Sequence, residues 1–326
     1  MRTSQTALVI GANGGIGRET CLALKRHGWQ VRALVRHLPA EQHGITWIQG
    51  DAMQLADVLA AASGVDVIVH AVNPPGYRQW DTLVMPMLDN TIEAAKAARA
   101  RVVLPGTIYN FGPDAFPLLR EDSPQHPHTR KGEIRAEMER RLAEAARAGV
   151  RTLILRCGDF FGPQPGNNWF AQGLLSAGKP VKTIRYPADY AHCHAWAYLP
   201  DVAETIARLL EREHDLAVFD VFHFGGYWLD GYAMADAVRG VANDPRIALR
   251  HFPWWLTALV APFVETLREM RKMRYLWKTP IQLDDAKLVA FLGGRPYTPL
   301  DEALRAALVG LGCIGMKSKL REEALR

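Results

Sequence analysis

The chain has 326 residues, 48% of them hydrophobic and 22% charged, an ordinary globular composition that excludes disordered, collagen-like and disulfide-framework proteins. Its 39 Lys+Arg against 34 Asp+Glu leave a net charge of +5, and the basic residues are scattered without a run of four, so nucleic-acid binding is not the natural reading. Four cysteines, Cys21, Cys157, Cys193 and Cys313, stand far apart with no C-x-x-C pair, the pattern expected in a reducing compartment. The opening MRTSQTALVIGANGG lacks the charged, apolar and cleavage regions of a secretory signal. The longest apolar window, 254–264, contains Pro262 and is too short for a bilayer, so the expectation is a cytoplasmic protein with no integral membrane segment.

Short β-branched runs at 6–10, 31–35, 65–70, 102–104 and 152–155 are apolar on both faces, as buried strands of a parallel sheet must be. Helix-like segments at 16–27, 55–62, 83–100 and 133–148 separate them. The alternation predicts βαβ units with right-handed crossovers, hence an α/β fold with a doubly wound, Rossmann-type parallel sheet. After Phe161 the breaker Gly162-Pro163-Gln164-Pro165-Gly166 opens a stretch richer in aromatics and proline. A helix over 200–213 and a strand over 217–224 follow, and the remainder reads as mostly helical. The expected division is a dinucleotide-binding domain over 1–160, with 195–224 returning to it, and a smaller substrate lobe from 161–194 and 225–326.

The strongest motif is the run from Leu8 through Gly11-Ala12-Asn13-Gly14-Gly15-Ile16-Gly17 to Glu19, a strand passing through a G-x-x-G-x-x-G turn into an amphipathic helix. Gly11 permits the tight turn, Gly14 lets the backbone approach a pyrophosphate, and Gly17 allows close helix–strand packing. The helix N-terminus then offers N–H groups and a favourable dipole to phosphate. A bare turn without ligand is the alternative. An NAD site usually presents an acidic residue at the end of the second strand, yet none occurs between Glu19 and Glu41. Arg36 stands there instead, suited to a 2′-phosphate, so NADP(H) is expected over NAD(H) unless Arg36 is simply a solvated loop residue.

At this point the chain resembles an extended short-chain dehydrogenase/reductase of the NAD-dependent epimerase/dehydratase type. Ordered landmarks over roughly 5–225 carry the resemblance: the glycine turn, Gly50-Asp51, Val69-His70-Ala71-Val72, the run from Val103 to Phe111-Gly112, the run from Leu155-Arg156 to Gly162-Pro163, and Asp201-Val202-Ala203. The resemblance implies that Asp51 lies near the adenine and that the Ala71-Val72 strand end passes beneath the cofactor; Asn73, at the C-terminal end of the fourth strand, is placed to touch the nicotinamide side. The expected nucleotide-binding set is Gly11, Asn13, Gly14, Gly15, Ile16, Gly17, Arg36, Asp51, Ala52, Ala71, Val72 and Asn73.

The family's catalytic set is Ser/Thr with Tyr and Lys four apart. Thr107, five residues before Gly112, falls at the Ser/Thr position, where a strand-end threonine bonding backbone is the alternative. The Tyr–Lys pair is missing, and no tyrosine occurs between Tyr109 and Tyr186. On the matching helix Lys131 takes the Tyr position and Arg135 the Lys position, still four apart and so on one helix face. Arg135 cannot act as a base, but its fork can hold ribose hydroxyls or a carboxylate. Lys131 is the expected proton donor or acceptor, with Thr107 polarising the substrate oxygen. The competing reading makes Lys131 and Arg135 surface charges of a basic helix, or phosphate ligands without a part in chemistry.

Other groupings carry less. His192-Cys193-His194 lacks partners for a metal set, so no metal is expected and the segment reads as cleft lining or packing. Asn167-Asn168-Trp169-Phe170 reads as a helix cap followed by core aromatics, or as substrate contacts. Asn73-Pro74-Pro75-Gly76-Tyr77 follows the fourth strand, where ligands of open α/β sheets sit. Residues 254–277, with Arg268, Arg271, Lys272, Arg274 and the adjoining Lys278, read as an interfacial amphipathic helix or as part of the substrate lobe. The expected function is therefore an NADP(H)-favouring oxidoreductase or epimerase/dehydratase-like enzyme for a small hydroxyl or carbonyl substrate, a homodimer by resemblance. The alternative is a non-catalytic NADP(H)-binding sensor or regulatory protein.

Overall fold

The computed structural model describes residues 5–40, 43–74, 79–164, 168–261 and 264–315. The first half runs β1 (Thr6–Ile10), α1 (Gly15–Arg26), β2 (Gln30–Val35), β3 (Thr46–Gln49), α2 (Leu55–Ala62), β4 (Val67–His70), α3 (Trp80–Ala98), β5 (Arg101–Gly106), β6 (Leu118–Leu119), α4 (Arg130–Arg147) and β7 (Thr152–Cys157). The chain continues with β8 (Asp159–Phe161), β9 (Thr183–Tyr186), β10 (His194–Tyr198), α5 (Leu199–Glu211), β11 (Phe219–Phe224), β12 (Tyr227–Leu229) and α6 (Gly231–Ala242). Then come β13 (Ala248–His251), α7 (Trp254–Val260), α8 (Glu265–Lys272), β14 (Gln282–Leu283), α9 (Ala286–Leu292) and α10 (Leu300–Gly310).

Seven strands form one parallel sheet in the order β11-β7-β5-β4-β1-β2-β3, a Rossmann-like α/β architecture. β1, β5 and β7 are buried at every residue. Alternate side chains explain why: Ala7 and Val9 pack beneath α1 and α5, against Cys21, Leu24, Val202 and Ile206. Leu8 and Ile10 point to the opposite layer, under Val58 of α2, Leu88 of α3 and Met138 and Leu142 of α4. β1 and β4 are neighbours, with Ile10 opposite His70, and β2 lies on the other side of β1. The chain therefore reverses its winding at β1/β4, where a crevice opens beyond the strand ends.

Short sheets, β12-β10-β8 and β13-β9 among them, stand beyond that end of the main sheet and share an aromatic core with the C-terminal helices. Two boundaries differ from the sequence reading in ways that bear on the site. α4 starts at Arg130 rather than 133, because the Thr129 hydroxyl caps it by accepting from the Gly132 amide at 3.1 Å. The segment around 254–277 is not one long amphipathic helix but the short α7 and α8 and a further turn, while Pro262 lies outside the described residues. No described helix is long and apolar enough to cross a membrane.

Candidate functional site

The glycine turn is shaped by close backbone approach on one side and open space on the other. Gly11 has φ +87°, and a Cβ there would sit 2.7 Å from the Val72 backbone, so the turn and the end of β4 touch only because Gly11 has no side chain. A Cβ at Gly17 would lie 2.4 Å from the Gly11 carbonyl oxygen. Gly14 differs: it is exposed, and a Cβ there would meet only that same oxygen, at 3.3 Å. Packing within the chain therefore demands glycine less strongly at 14 than at 11 or 17. Gly14 also caps α1 with no side-chain hydrogen bond, and the first turn holds no acidic residue. The N–H groups of that turn, Gly15 and Ile16 included, face a cradle that fits a pyrophosphate.

Around this cradle the remaining expected residues fall at the same strand ends. Asn13 ties the turn to the loop after β2 by donating to the His37 carbonyl at 2.9 Å. Arg36 is exposed at the end of β2, its carbonyl accepting from Gln49 at 3.3 Å. The Asp51 amide donates to Asp57 at 2.9 Å, and the Asp51 carboxylate accepts from the Met53 amide at 3.0 Å. Ala52 is buried, and its carbonyl accepts from Asn90 at 2.9 Å. The Ala71 amide donates to Ile10 at 3.0 Å, continuing the β1–β4 ladder to Val72 and Asn73. Arg18, not singled out from the sequence, sits one residue past the last glycine with Nη2 3.0 Å from Nε2 of His43. Its position directly after the motif was the available signal.

A cavity of about 110 Å³ opens at the C-terminal ends of β5 and β7. Thr107, Asn73 and Arg135 border it together, as does Tyr109. Arg135 donates from Nη2 to Oδ1 of Asn73 at 3.3 Å, and its guanidinium lies 5.1 Å from the Trp80 ring centre. Lys131 shares that aromatic support, with Nζ 5.0 Å from the ring centre, so the spacing of four does put both cations over one surface. Lys131 is only 5% exposed, however, which excludes the reading of a surface charge. Its Nζ lies 3.0 Å from Oε2 of Glu269 on α8. Burial works to raise the Glu269 carboxyl, but hydrogen bonds from Lys272 and Lys131 outweigh it and hold the group below the usual carboxylate range.

Beneath the crevice, the His70 imidazole is buried and pushed down to about 3, chiefly by desolvation and further by the charge of Arg135. Thr91 donates its hydroxyl proton to the Met87 carbonyl at 2.9 Å, so at 2.8 Å His70 must be the donor, through Nδ1, to the Thr91 oxygen. The frame of the cavity is a second buried network. Arg156 on β7 donates to Glu139 on α4 from Nε at 3.1 Å and Nη2 at 2.7 Å, while Asn110 and Gln125 donate to the same carboxylate at 3.1 and 2.8 Å. These bonds fix α4, the strand ends and the loop after β5 to one another.

The aromatic side of the cavity resolves two further expectations. Asn168 accepts from the Ala171 amide at 2.8 Å and so acts as a cap, while Trp169 packs among Phe252, Trp254 and Trp277. Asn167 and the Pro75-Gly76-Tyr77 turn lie outside the described residues. His194 is buried and donates Nε2–H to Oδ2 of Asp159 at 2.6 Å. Asp159 itself borders the cavity. The sequence reading passed over this pair, because Asp159 lay inside a strand-ending landmark and His194 inside a discounted metal motif.

Comparison with known proteins agrees with this fold. The sequence profile of the NAD dependent epimerase/dehydratase family matches residues 7–225. A 3-diazoavenalumate denitrifying reductase from a Streptomyces species is 32% identical over 177 residues, covering 49% of this chain and 57% of the relative. Photosystem II assembly factor Ycf39 of Cyanophora paradoxa is 34% identical over 123 residues, 35% of this chain and 37% of the relative. The chain thus spans little more than half the length of the first and about a third of the second. Among solved structures, L-threonine dehydrogenase from Clostridium difficile superposes with a TM-score of 0.77 at 20% identity, over 96% of this chain and 100% of that one. That likeness is one of fold.

Proposed function

The chain belongs to the NAD-dependent epimerase/dehydratase family, and from that premise we propose that it is an NADP(H)-favouring oxidoreductase or epimerase/dehydratase-like enzyme acting on a hydroxyl or carbonyl group of a small substrate. The observation that carries the reading is the side-chain-free, exposed face of Gly14 at an α1 N-terminus without a side-chain cap, standing at the β1/β4 reversal beside a cavity walled by Thr107 and Arg135.

In this proposal Gly11, Asn13, Gly14, Gly15, Ile16 and Gly17 hold the pyrophosphate, Asp51 and Ala52 flank the adenine, and Ala71, Val72 and Asn73 lie beneath the nicotinamide half. Arg36 meets the 2′-phosphate. A bound nicotinamide supplies or takes up the hydride. Thr107 donates a hydrogen bond that polarises the substrate oxygen, and Arg135 holds a carboxylate or ribose hydroxyls with its fork. Lys131, beside Glu269 and over the Trp80 ring, fastens α4 to α8. The division of labour gives the nucleotide to 1–160 with 195–224, and the substrate to 161–194 and 225–326. A cytoplasmic homodimer is part of the same proposal.

The Ycf39 relative, named as an assembly factor, supports the alternative of a non-catalytic nucleotide-binding protein. Calorimetric titration with NADPH and NADH, on the wild type and on Arg36→Glu, tests the nucleotide half of the reading. Replacing a charge-assisted phosphate contact by a repulsion lowers NADPH affinity about tenfold or more and erases the preference over NADH. Binding of neither nucleotide by the wild type refutes the proposal.

A further inference from the structure

The family's tyrosine is absent from α4: Lys131, at its position, is engaged by Glu269 at 3.0 Å and is not among the described residues that border the cavity, while Arg135 borders it but its guanidinium cannot exchange a proton at physiological pH. The geometry points to Asp159 as the group that exchanges the proton with the substrate oxygen, with His194 as its positioning residue. This assignment rests on the functional reading above and names the proton-bearing atom of that same site.

The pair follows from how the small sheet is threaded. β8 and β10 run parallel, with Asp159 opposite Trp196, so His194, two residues earlier on the same face as Trp196, lies diagonally beside Asp159. The imidazole is stacked on Trp277, with ring centres 3.7 Å apart and planes 14° apart, and Trp196 meets it edge-on. It therefore has one orientation, in which Nε2 donates to Oδ2 of Asp159 at 2.6 Å. Asp159 borders the cavity that holds Thr107 and Arg135, and among the described residues no hydrogen bond is made to its Oδ1. One carboxylate oxygen is thus committed to His194 and the other is left for a substrate.

The groups facing the carboxylate from neighbouring elements are His194 on β10, Arg135 of α4 and Tyr109 after β5 across the cavity, and Tyr186 on β9. The Tyr186 hydroxyl is pushed up by burial, and further by the charges of Cys193, Asp230 and Asp159, and it donates to the His192 carbonyl at 3.0 Å. It is therefore no competitor for the proton. In the oxidising direction the substrate O–H bond breaks and its proton passes to Oδ1, while the C–H electron pair leaves as hydride to the nicotinamide and C–O becomes C=O. Reduction is the reverse: the hydride adds to the carbon, and the carboxyl of Asp159 returns its proton to the oxygen. His194 donates to Oδ2 throughout.

The test uses the full chain with NADP⁺, NADPH and phenanthrenequinone as a carbonyl probe. Nucleotide binding is measured calorimetrically in buffers of different ionisation enthalpy, which reports proton uptake, and hydride transfer is followed by NADPH absorbance across pH. In Asp159→Asn both nucleotides are expected to bind within threefold of wild type, while the difference in proton uptake between NADP⁺ and NADPH disappears. The rate falls about a hundredfold or more and the associated pH limb is lost. His194→Gln leaves binding intact and moves the limb, a shift that a purely structural role would not produce. It carries the test alone if Asp159→Asn does not fold. Unchanged proton uptake and an unchanged limb in Asp159→Asn overturn the assignment, as does loss of both in Tyr109→Phe instead. A wild type that binds neither nucleotide overturns the functional reading and this assignment together. If nucleotide binds and the probe is not reduced, the calorimetric comparison decides alone.

Discussion

The Lys131–Glu269 pair makes a quantitative demand on the link between α4 and α8. The two side chains are 6% and 10% exposed with 3.0 Å between Nζ and Oε2, so both charges have left most of their water. Removing one member of a desolvated pair costs about 3–5 kcal/mol, because the charge left behind loses its counter-charge without regaining its water. The two truncations are nevertheless unequal. Glu269 has a second partner, Lys272, at 2.8 Å, and that side chain is half exposed. In Lys131→Met the carboxylate keeps Lys272, and the thioether can lie against Trp80, a contact worth about 0.3–1.5 kcal/mol.

Glu269→Ala should therefore lower stability by about 3 kcal/mol or more, Lys131→Met by about 1 kcal/mol, and Lys272→Met by less than about 1 kcal/mol. The double variant Lys131→Met/Glu269→Leu should regain most of the Glu269→Ala loss, with a coupling near 2 kcal/mol. Urea unfolding followed by tryptophan fluorescence reads these differences from midpoints at a shared m value. A Glu269→Ala loss below about 1 kcal/mol, or equal losses for Glu269→Ala and Lys131→Met, would refute the reasoning. The pH dependence carries a fixed sign. Since Glu269 is held below its ordinary value, its contribution is present above the unfolded carboxylate range near about 4.3 and is lost as pH falls through the lower folded value.

Other consequences can be checked separately. Gly14→Ala should lose far less stability than Gly17→Ala, since its Cβ would press on the Gly11 carbonyl oxygen at 3.3 Å rather than overlap it, yet weaken nucleotide binding in calorimetry. Gly17→Ala should impair both, because its Cβ would lie 2.4 Å from a backbone oxygen; equal nucleotide affinity in Gly14→Ala would count against the cradle. His27 accepts the opposite sign of pH dependence: burial lowers it, but Glu211 and Glu204, at 2.8 and 3.0 Å, more than compensate and raise it. Its stabilisation is therefore complete below the ordinary imidazole value of about 6.5 and fades as pH rises through the raised folded value. His27→Gln should flatten the melting temperature between about pH 6 and pH 8 relative to wild type.

The features legible in the sequence are those that local physics imposes. A strand buried between two helical layers must be apolar at every position, which is why β1, β5 and β7 stand out from composition alone. β3 does not: its four residues lie at the sheet edge and are all at least partly exposed, so only the resemblance implied a strand before Gly50. The glycine turn was legible because each close approach needs a residue type rather than a partner. Asp159 and His194 were not, since their meeting depends on β8 and β10 pairing outside the main sheet. The same holds for Lys131 and Glu269, which meet only because α8 packs onto the start of α4. Helical spacing gave the shared face of Lys131 and Arg135, but nothing in that spacing says which of them reaches the cavity.

If Arg135 takes the place of the family's lysine, as the resemblance implies, the exchange changes more than hydrogen-bond geometry. Arg135 keeps its charge at any relevant pH, and the imidazole of His70 lies close enough to feel it. A protonated His70 would put two cations beneath the strand ends, and a third positive charge would arrive with each oxidised nicotinamide. The structure avoids this through the tautomer fixed by Thr91: with Nδ1 donating into the Thr91–Met87 chain, Nε2 carries only a lone pair, and burial keeps it so. A neutral His70 is thus the condition under which Arg135 can sit at the cavity mouth and bind an anionic group. It also leaves proton exchange to a group on the opposite wall, and Asp159 is the carboxylate that stands there.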